Sequence, residues 1–170
     1  MSRSLELLHP EVKAACLELK RLAKEKCNLQ FIVTQTLRTD EEQKALYAQG
    51  RESLDVVNQL RIDANMSPIS ASENKIVTKA KTGADSMHYY GLAFDIAITD
   101  LTGKKIKWDK SSDCNADGVD DWSQVGALAD LIPGLEWGGN WTGMPDPPHY
   151  QMRFGLTLKD LKAGKTPPKK

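Results

Sequence analysis

The sequence predicts an α+β fold, a small mixed, mainly antiparallel sheet flanked by helices. Three observations point there. Apolar residues recur at helical spacing near the N-terminus. Short apolar runs at 30–35, 91–98 and 149–154 are strand-length, and the first two hold β-branched residues. No regular strand–helix–strand rhythm or internal repeat runs through the chain, so a parallel, helix-covered sheet is not indicated.

Each element has a local cause. Pro10 suits the first turn of a helix, and Val12, Ala15, Cys16, Leu19, Leu22 and Ala23 mark one apolar face to about Cys27. The run 30–35 reads as a buried strand. Thr39 with Glu42 forms a capping box opening a helix to Gln49, and Gly50 stops it. Residues 51–82 are less regular, with an amphipathic helix expected over 53–66 and a loop over 67–72. A second core strand follows at 91–98, and 103–108 looks strand-like. An acid-rich loop spans 113–121, and a helix over 122–132 ends at Pro133-Gly134. A third strand covers 149–154. Thr157 with Asp160 caps a short helix that stops at Gly164. A single domain is expected over 1–164, with a disordered basic tail at 165–170.

Composition narrows the function. The 170 residues suffice for one good core, and the formal net charge is zero. That balance argues against a nucleic-acid partner or attraction to anionic membranes. No apolar run approaches the ~20 residues of a membrane span, and Glu6 interrupts the only apolar stretch near the N-terminus. The expectation is synthesis in the cytoplasm without a signal peptide, and a monomer. Cys16 and Cys27 fall on one helix too far apart to bridge, and with Cys114 they read as reduced thiols.

The most informative segment is Ser86-Met-His88-Tyr-Tyr-Gly91-Leu-Ala93-Phe-Asp95, joined later by Asp146-Pro-Pro-His149. Two imidazoles and a carboxylate make a three-ligand zinc set with an open position. His88 and Asp95 are seven residues apart. In one straight strand they would face opposite ways, so the chain must bend, and Gly91 is placed to allow it. His149 would begin a neighbouring strand and complete the set. Pro147 and Pro148 stiffen the approach and hold Asp146 beside the metal as a general base. Either motif alone is usually structural; their co-occurrence in a chain with three histidines favours a metal.

A second metal is suggested by Asp113-Cys-Asn115-Ala-Asp117-Gly118-Val119, which follows the first half of a calcium-binding EF-hand loop. Asp113, Asn115, Asp117, the Val119 carbonyl and Asp121 would be its ligands. Position 12 is Gln124 instead of the usual Glu, so a plain Asp/Asn turn competes evenly with calcium.

The pattern Ser86-x-His88-x-x-Gly91-x-Ala93-x-Asp95, with Trp137-Gly-Gly-Asn-Trp141 and Asp146-x-Pro148-His149-Tyr-Gln151, resembles the zinc-dependent D,D-carboxypeptidase/L-alanyl-D-glutamate peptidases, the VanY-like M15 group. Within it the chain is most similar to single-domain L-alanyl-D-glutamate endopeptidases of phage endolysins and bacterial cell walls. The likeness runs from about Val33 to Phe154. It implies His88, Asp95 and His149 as zinc ligands and Asp146 as base; an Asp there fits the endopeptidase branch. Gln35-Thr-Leu-Arg38-Thr resembles the family's arginine segment, which implies Arg38 near the scissile carbonyl or a substrate carboxylate. Gln43 either shapes the site or faces solvent. Ser86 either supports a ligand or forms a turn. Trp137 and Trp141 are expected to support the site or touch substrate.

The function implied is hydrolysis of peptidoglycan stem peptides between L-Ala and D-Glu, on the cell wall after release. The alternatives are a D-Ala–D-Ala carboxypeptidase or dipeptidase, and a zinc-stabilised binding module.

Overall fold

A computed structural model describes residues 1–168. The first helix, α1 (Pro10–Cys27), has its proline at the first turn and ends at Asn28 in the left-handed conformation. It buries the apolar face read from the sequence. Strand β1 (Gln30–Gln35) follows, then α2 (Asp40–Ala48), opened by the Thr39–Glu42 capping box. Helix α3 (Leu54–Asp63) is shorter than expected because Asn65 turns left-handed at φ 54°. Strand β2 (Ala93–Thr99) and the short β3 (Ile106–Lys107) precede α4 (Asp121–Ala127). The expected 122–132 helix is therefore split: after Ala127 the chain tightens into a 3-10 turn over Leu128–Leu131. Strand β4 (Leu135–Trp137), β5 (His149–Met152) and α5 (Leu158–Lys162) complete the order. The expected extension of β5 to Phe154 fails because Phe154 itself takes φ 54°. Lys169 and Lys170 of the expected basic tail lie outside the described residues.

The sheet runs β1-β2-β5-β4, with β3 also on β2, and each of these pairings is antiparallel. Period-two alternation divides its two faces. Phe94, Ile96 and Ile98 of β2, Tyr150 and Met152 of β5, and Leu135 of β4 enter the core under α1 and α4. Phe94 stacks on Tyr150 with ring centroids 5.4 Å apart. The intervening residues Asp95, His149, Gln151 and Glu136 belong to the opposite face, where Asp95 pairs with His149 and Glu136 with Gln151.

One irregularity matters for that face. Val33 pairs with Ile96 and Gln35 with Asp95, so the register slips between Val33 and Gln35. Regular alternation would send Gln35 into the core with Val33. The bulge instead brings it level with Asp95.

Candidate active site

His88 sits on a single 3-10 turn, Met87–Tyr90, that closes on Gly91 at φ 67°. A Cβ on Gly91 would stand 2.7 Å from the Leu7 carbonyl, so both conformation and contact exclude a side chain there. The turn supplies the bend that the odd spacing demanded. It delivers His88 to the side of the sheet that carries Asp95 and His149.

The three groups meet closely. His88 Nε2, His149 Nδ1 and Asp95 Oδ1 form a triangle with every edge at 3.1 Å. Ligand atoms at zinc's usual ~2.0–2.1 Å, arranged tetrahedrally, are about 3.3 Å apart. Both imidazoles are buried.

The outer nitrogens fix which atoms point inward. His88 Nδ1 lies 2.7 Å from the Thr36 carbonyl, so it donates and leaves Nε2 with a lone pair. The other ring is set by a longer chain. Glu136 only accepts, so Gln151 must turn its Nε2 toward it, at 2.9 Å. That leaves Gln151 Oε1 facing His149 Nε2 at 3.1 Å, and His149 donates there. Its Nδ1 is thus also a lone pair. Three acceptors face one another, an arrangement that calls for a cation between them. Burial alone would push the Asp95 carboxyl up, but the two imidazoles beside it hold it well below its ordinary value. Burial is the largest influence on the His149 imidazole and lowers it, but Asp95, Asp146 and Gln151 together outweigh it and push it up. Among the described residues this is the one cluster of three or more His, Cys, Asp or Glu whose ligand atoms converge.

The trio opens into a cleft of about 600 Å³. Asp146 lines it, with a carboxylate that no described residue bonds. Its backbone is firmly placed: Asp146 N donates to the Gly138 carbonyl at 2.9 Å and its carbonyl accepts from His149 N at 3.0 Å. Burial and the nearby Asp95 charge push the Asp146 carboxyl up, against the pull of His149, Arg38 and Lys110. Trp141 lines the cleft and tilts over His149, its ring centroid 5.0 Å away.

Arg38 also lines the cleft and is buried. Its Nη1 donates to Gln43 Oε1 at 2.9 Å, its Nη2 donates to Gln35 Oε1, and Nη2 stands 3.6 Å from Asp95 Oδ2. Gln43 does not face solvent; it is fully buried and donates to the Ala80 carbonyl at 2.7 Å. Ser86 lines the cleft without capping the turn that follows it. Trp137 supports the site from behind: its indole donates to the Pro147 carbonyl at 2.8 Å, and it does not line the cleft.

Comparison with known proteins adds to this geometry. A family model described as D-alanyl-D-alanine carboxypeptidase matches residues 79–152, the stretch that holds all three converging ligands and Asp146. The peptidoglycan L-alanyl-D-glutamate endopeptidase CwlK of Bacillus subtilis (strain 168) is 36% identical over 145 residues, covering 85% of this chain and 73% of that protein. The chain belongs to this family of peptidoglycan peptidases. Two solved structures resemble it more loosely. The Serratia marcescens L-Ala D-Glu endopeptidase ChiX has a TM-score of 0.46 at 21% identity, over 94% of this chain and 90% of that one. The vancomycin-resistance D,D-pentapeptidase VanY of a VanB-type cassette, in complex with Zn(II), gives 0.42 at 14% identity, over 92% and 76%.

The calcium expectation fares differently. Asp113, Asp117 and Asp121 do not converge as a ligand cluster. Asp113 accepts from the Asp117 and Gly118 amides, and Asp117 from the Val119 amide and from the side chains of Asn115 and Gln124. Asp121 is fully buried at the start of α4 and accepts from Cys114 N at 3.0 Å. The acceptors are taken up by the loop itself, as in an Asx-type turn.

Sequence reasoning missed Gln35, Glu136 and the supporting role of Gln151. Gln151 had a signal, since it lies two residues from His149 on one strand and therefore shares its face. Glu136 had none without β4, and Gln35 none without the bulge.

Proposed function

We propose that the protein is a zinc-dependent endopeptidase that cuts the L-Ala–D-Glu bond of peptidoglycan stem peptides. The observation that carries the metal is the 3.1 Å triangle of two imidazole lone pairs and one carboxylate oxygen. Two nitrogens and one oxygen on a tetrahedral face suit zinc and leave a fourth position toward the cleft. CwlK, an L-alanyl-D-glutamate endopeptidase by name, supports the choice of bond.

Zinc bound there would polarise a peptide carbonyl and lower the pKa of a water in its open position. The chain's own groups do the rest. Asp146, free of protein partners and fixed by its backbone, takes a proton from the attacking water as the new C–O bond forms. It gives that proton to the departing amine as the C–N bond breaks. Arg38, clamped by Gln35 and Gln43, keeps a fixed positive charge beside the site, where negative charge builds on the carbonyl oxygen. Gln151 and Thr36 hold the two imidazoles in the tautomers that coordinate.

The test is digestion of purified peptidoglycan by zinc-loaded protein, with mass spectrometry of the products. New N-terminal D-Glu, with L-Ala left on the sugar, is expected. Release of free D-Ala without a new D-Glu amine would assign the chain to the carboxypeptidases instead. Asp146→Asn should keep zinc but lose turnover by about 10²–10⁴-fold, the usual cost of removing a general base. Loss of zinc in that variant would make Asp146 a ligand and overturn its role.

A further inference from the structure

We propose that Lys79 is the cleft's receptor for a substrate carboxylate next to the scissile bond, and so sets specificity. The inference rests on the endopeptidase reading. A D-Glu residue linked onward through its side-chain carboxyl keeps its α-carboxylate free, close to the nitrogen released by cleavage. The cleft must therefore accommodate a negative charge there.

Three side-chain cations line the cleft: Arg38, Lys79 and Arg153. Arg153 is engaged, with Nε 2.9 Å from Glu136. Arg38 is buried and held on Nη1 and Nη2 by two glutamines, while its Nε is sealed from solvent without a partner. That guanidinium is a fixed charge rather than an open fork. Lys79 differs on every count. It is exposed and has no hydrogen bond or ion pair from its side chain to any described residue.

Its backbone is nonetheless defined. The backbone on either side is pinned, as the Ala80 carbonyl accepts from Gln43 at 2.7 Å and the Thr78 carbonyl from Arg51 at 2.9 Å. From that wall the ammonium reaches the opposite one, 3.5 Å from where a Cβ would stand on Gly143. Gly143 offers no side chain there, and Trp141 and Met144 of the same segment line the cleft. An ammonium in the cleft lining, on backbone pinned to either side and unpaired among the described residues, suits one carboxylate.

The experiment uses two synthetic muramyl stem peptides that differ at one group: the α-carboxylate of D-Glu is free in one and a primary amide in the other. Zinc-loaded wild type, Lys79→Gln and Lys79→Arg are compared by the ratio of kcat/KM for carboxylate over amide. Wild type should favour the carboxylate by about 5–30-fold, the scale of one charge-assisted hydrogen bond at a half-open site. Lys79→Gln should bring the ratio to about 1, and Lys79→Arg should retain a preference. A general loss of folded protein would scale both substrates alike and leave the ratio untouched. A wild-type ratio near 1, or a Lys79→Gln ratio equal to wild type, overturns the proposal while leaving the endopeptidase reading intact. Cleavage of neither peptide at that bond overturns the reading and the subsite with it.

Discussion

Gly138→Ala should damage catalysis although it removes no chemical group. A Cβ on Gly138 would stand 2.7 Å from the Asp146 carbonyl oxygen, 3.1 Å from His149 Cβ and 3.2 Å from the His149 carbonyl oxygen. Ordinary contacts begin near 3.4 Å, so the backbone at Asp146 must retreat by about 0.7 Å. It cannot do so alone, because Asp146 N is bonded to the Gly138 carbonyl and His149 N to the Asp146 carbonyl. The proposed base, Asp146, and the converging His149 would move together. Misplacing a catalytic group by ~1 Å costs about 10²-fold, so a loss of roughly 10–100-fold in kcat is expected. Overpacking of this kind costs about 1–3 kcal/mol of stability, which in a chain of this size is a fall in Tm of roughly 2–12 °C. The assay is kcat on a defined stem peptide, with calorimetry on the same zinc-loaded sample. Full activity at an unchanged Tm would refute the claim that this close approach sets the geometry.

Two further outcomes follow from burial and bonding. Gln151→Leu removes the acceptor that fixes the His149 tautomer, and zinc affinity should fall about 10–100-fold in competition with a chromogenic chelator; unchanged affinity would make that bond incidental. Burial pushes the Cys16 thiol up to about 12, so at pH 8 it should resist a thiol reagent in the native protein and react only after denaturation, with Cys27 and Cys114 labelled first.

How much of this was legible depended on the range of the interaction. Capping boxes at Thr39 and Thr157 and the apolar face of α1 are local, and the structure shows them as read. The His88–Asp95 spacing, with Gly91 between, encoded a bend as well as two ligands, because strand alternation makes an odd separation self-contradictory without one. Strand β4 was invisible: Leu135–Trp137 is too short to show a period and is held by its pairing to β5. With it went Glu136. Gln43 was ambiguous because its helical face looks polar, and two of its partners lie 35 and 37 residues away at Thr78 and Ala80. The loop at 113–121 shows the converse ambiguity. Its residue order suits a cation, but the same acceptors can satisfy the turn's own amides, and composition alone does not separate the two.

The proposed mechanism gives opposite duties to two carboxylates, and their surroundings support the division. Asp95 lies in the middle of a sheet, directly across from His149 and within 3.1 Å of both imidazole nitrogens. The two imidazoles outweigh burial and favour its charged form, and the strand ladder holds its backbone in place. Such an acid is suited to hold a cation and unsuited to exchange protons. Asp146 lies off the sheet, on a turn made rigid by Pro147 and Pro148 and by two backbone bonds, with its side chain unbonded in the cleft. Partial burial and the Asp95 charge raise its affinity for a proton, and no described residue bonds its oxygens. Environments that push two acids apart in this way separate a structural carboxylate from a proton carrier. The double proline then has a definite purpose. It keeps the proton carrier three residues from a ligand yet outside the ligand set, and the Gly138 approach locks that arrangement from below.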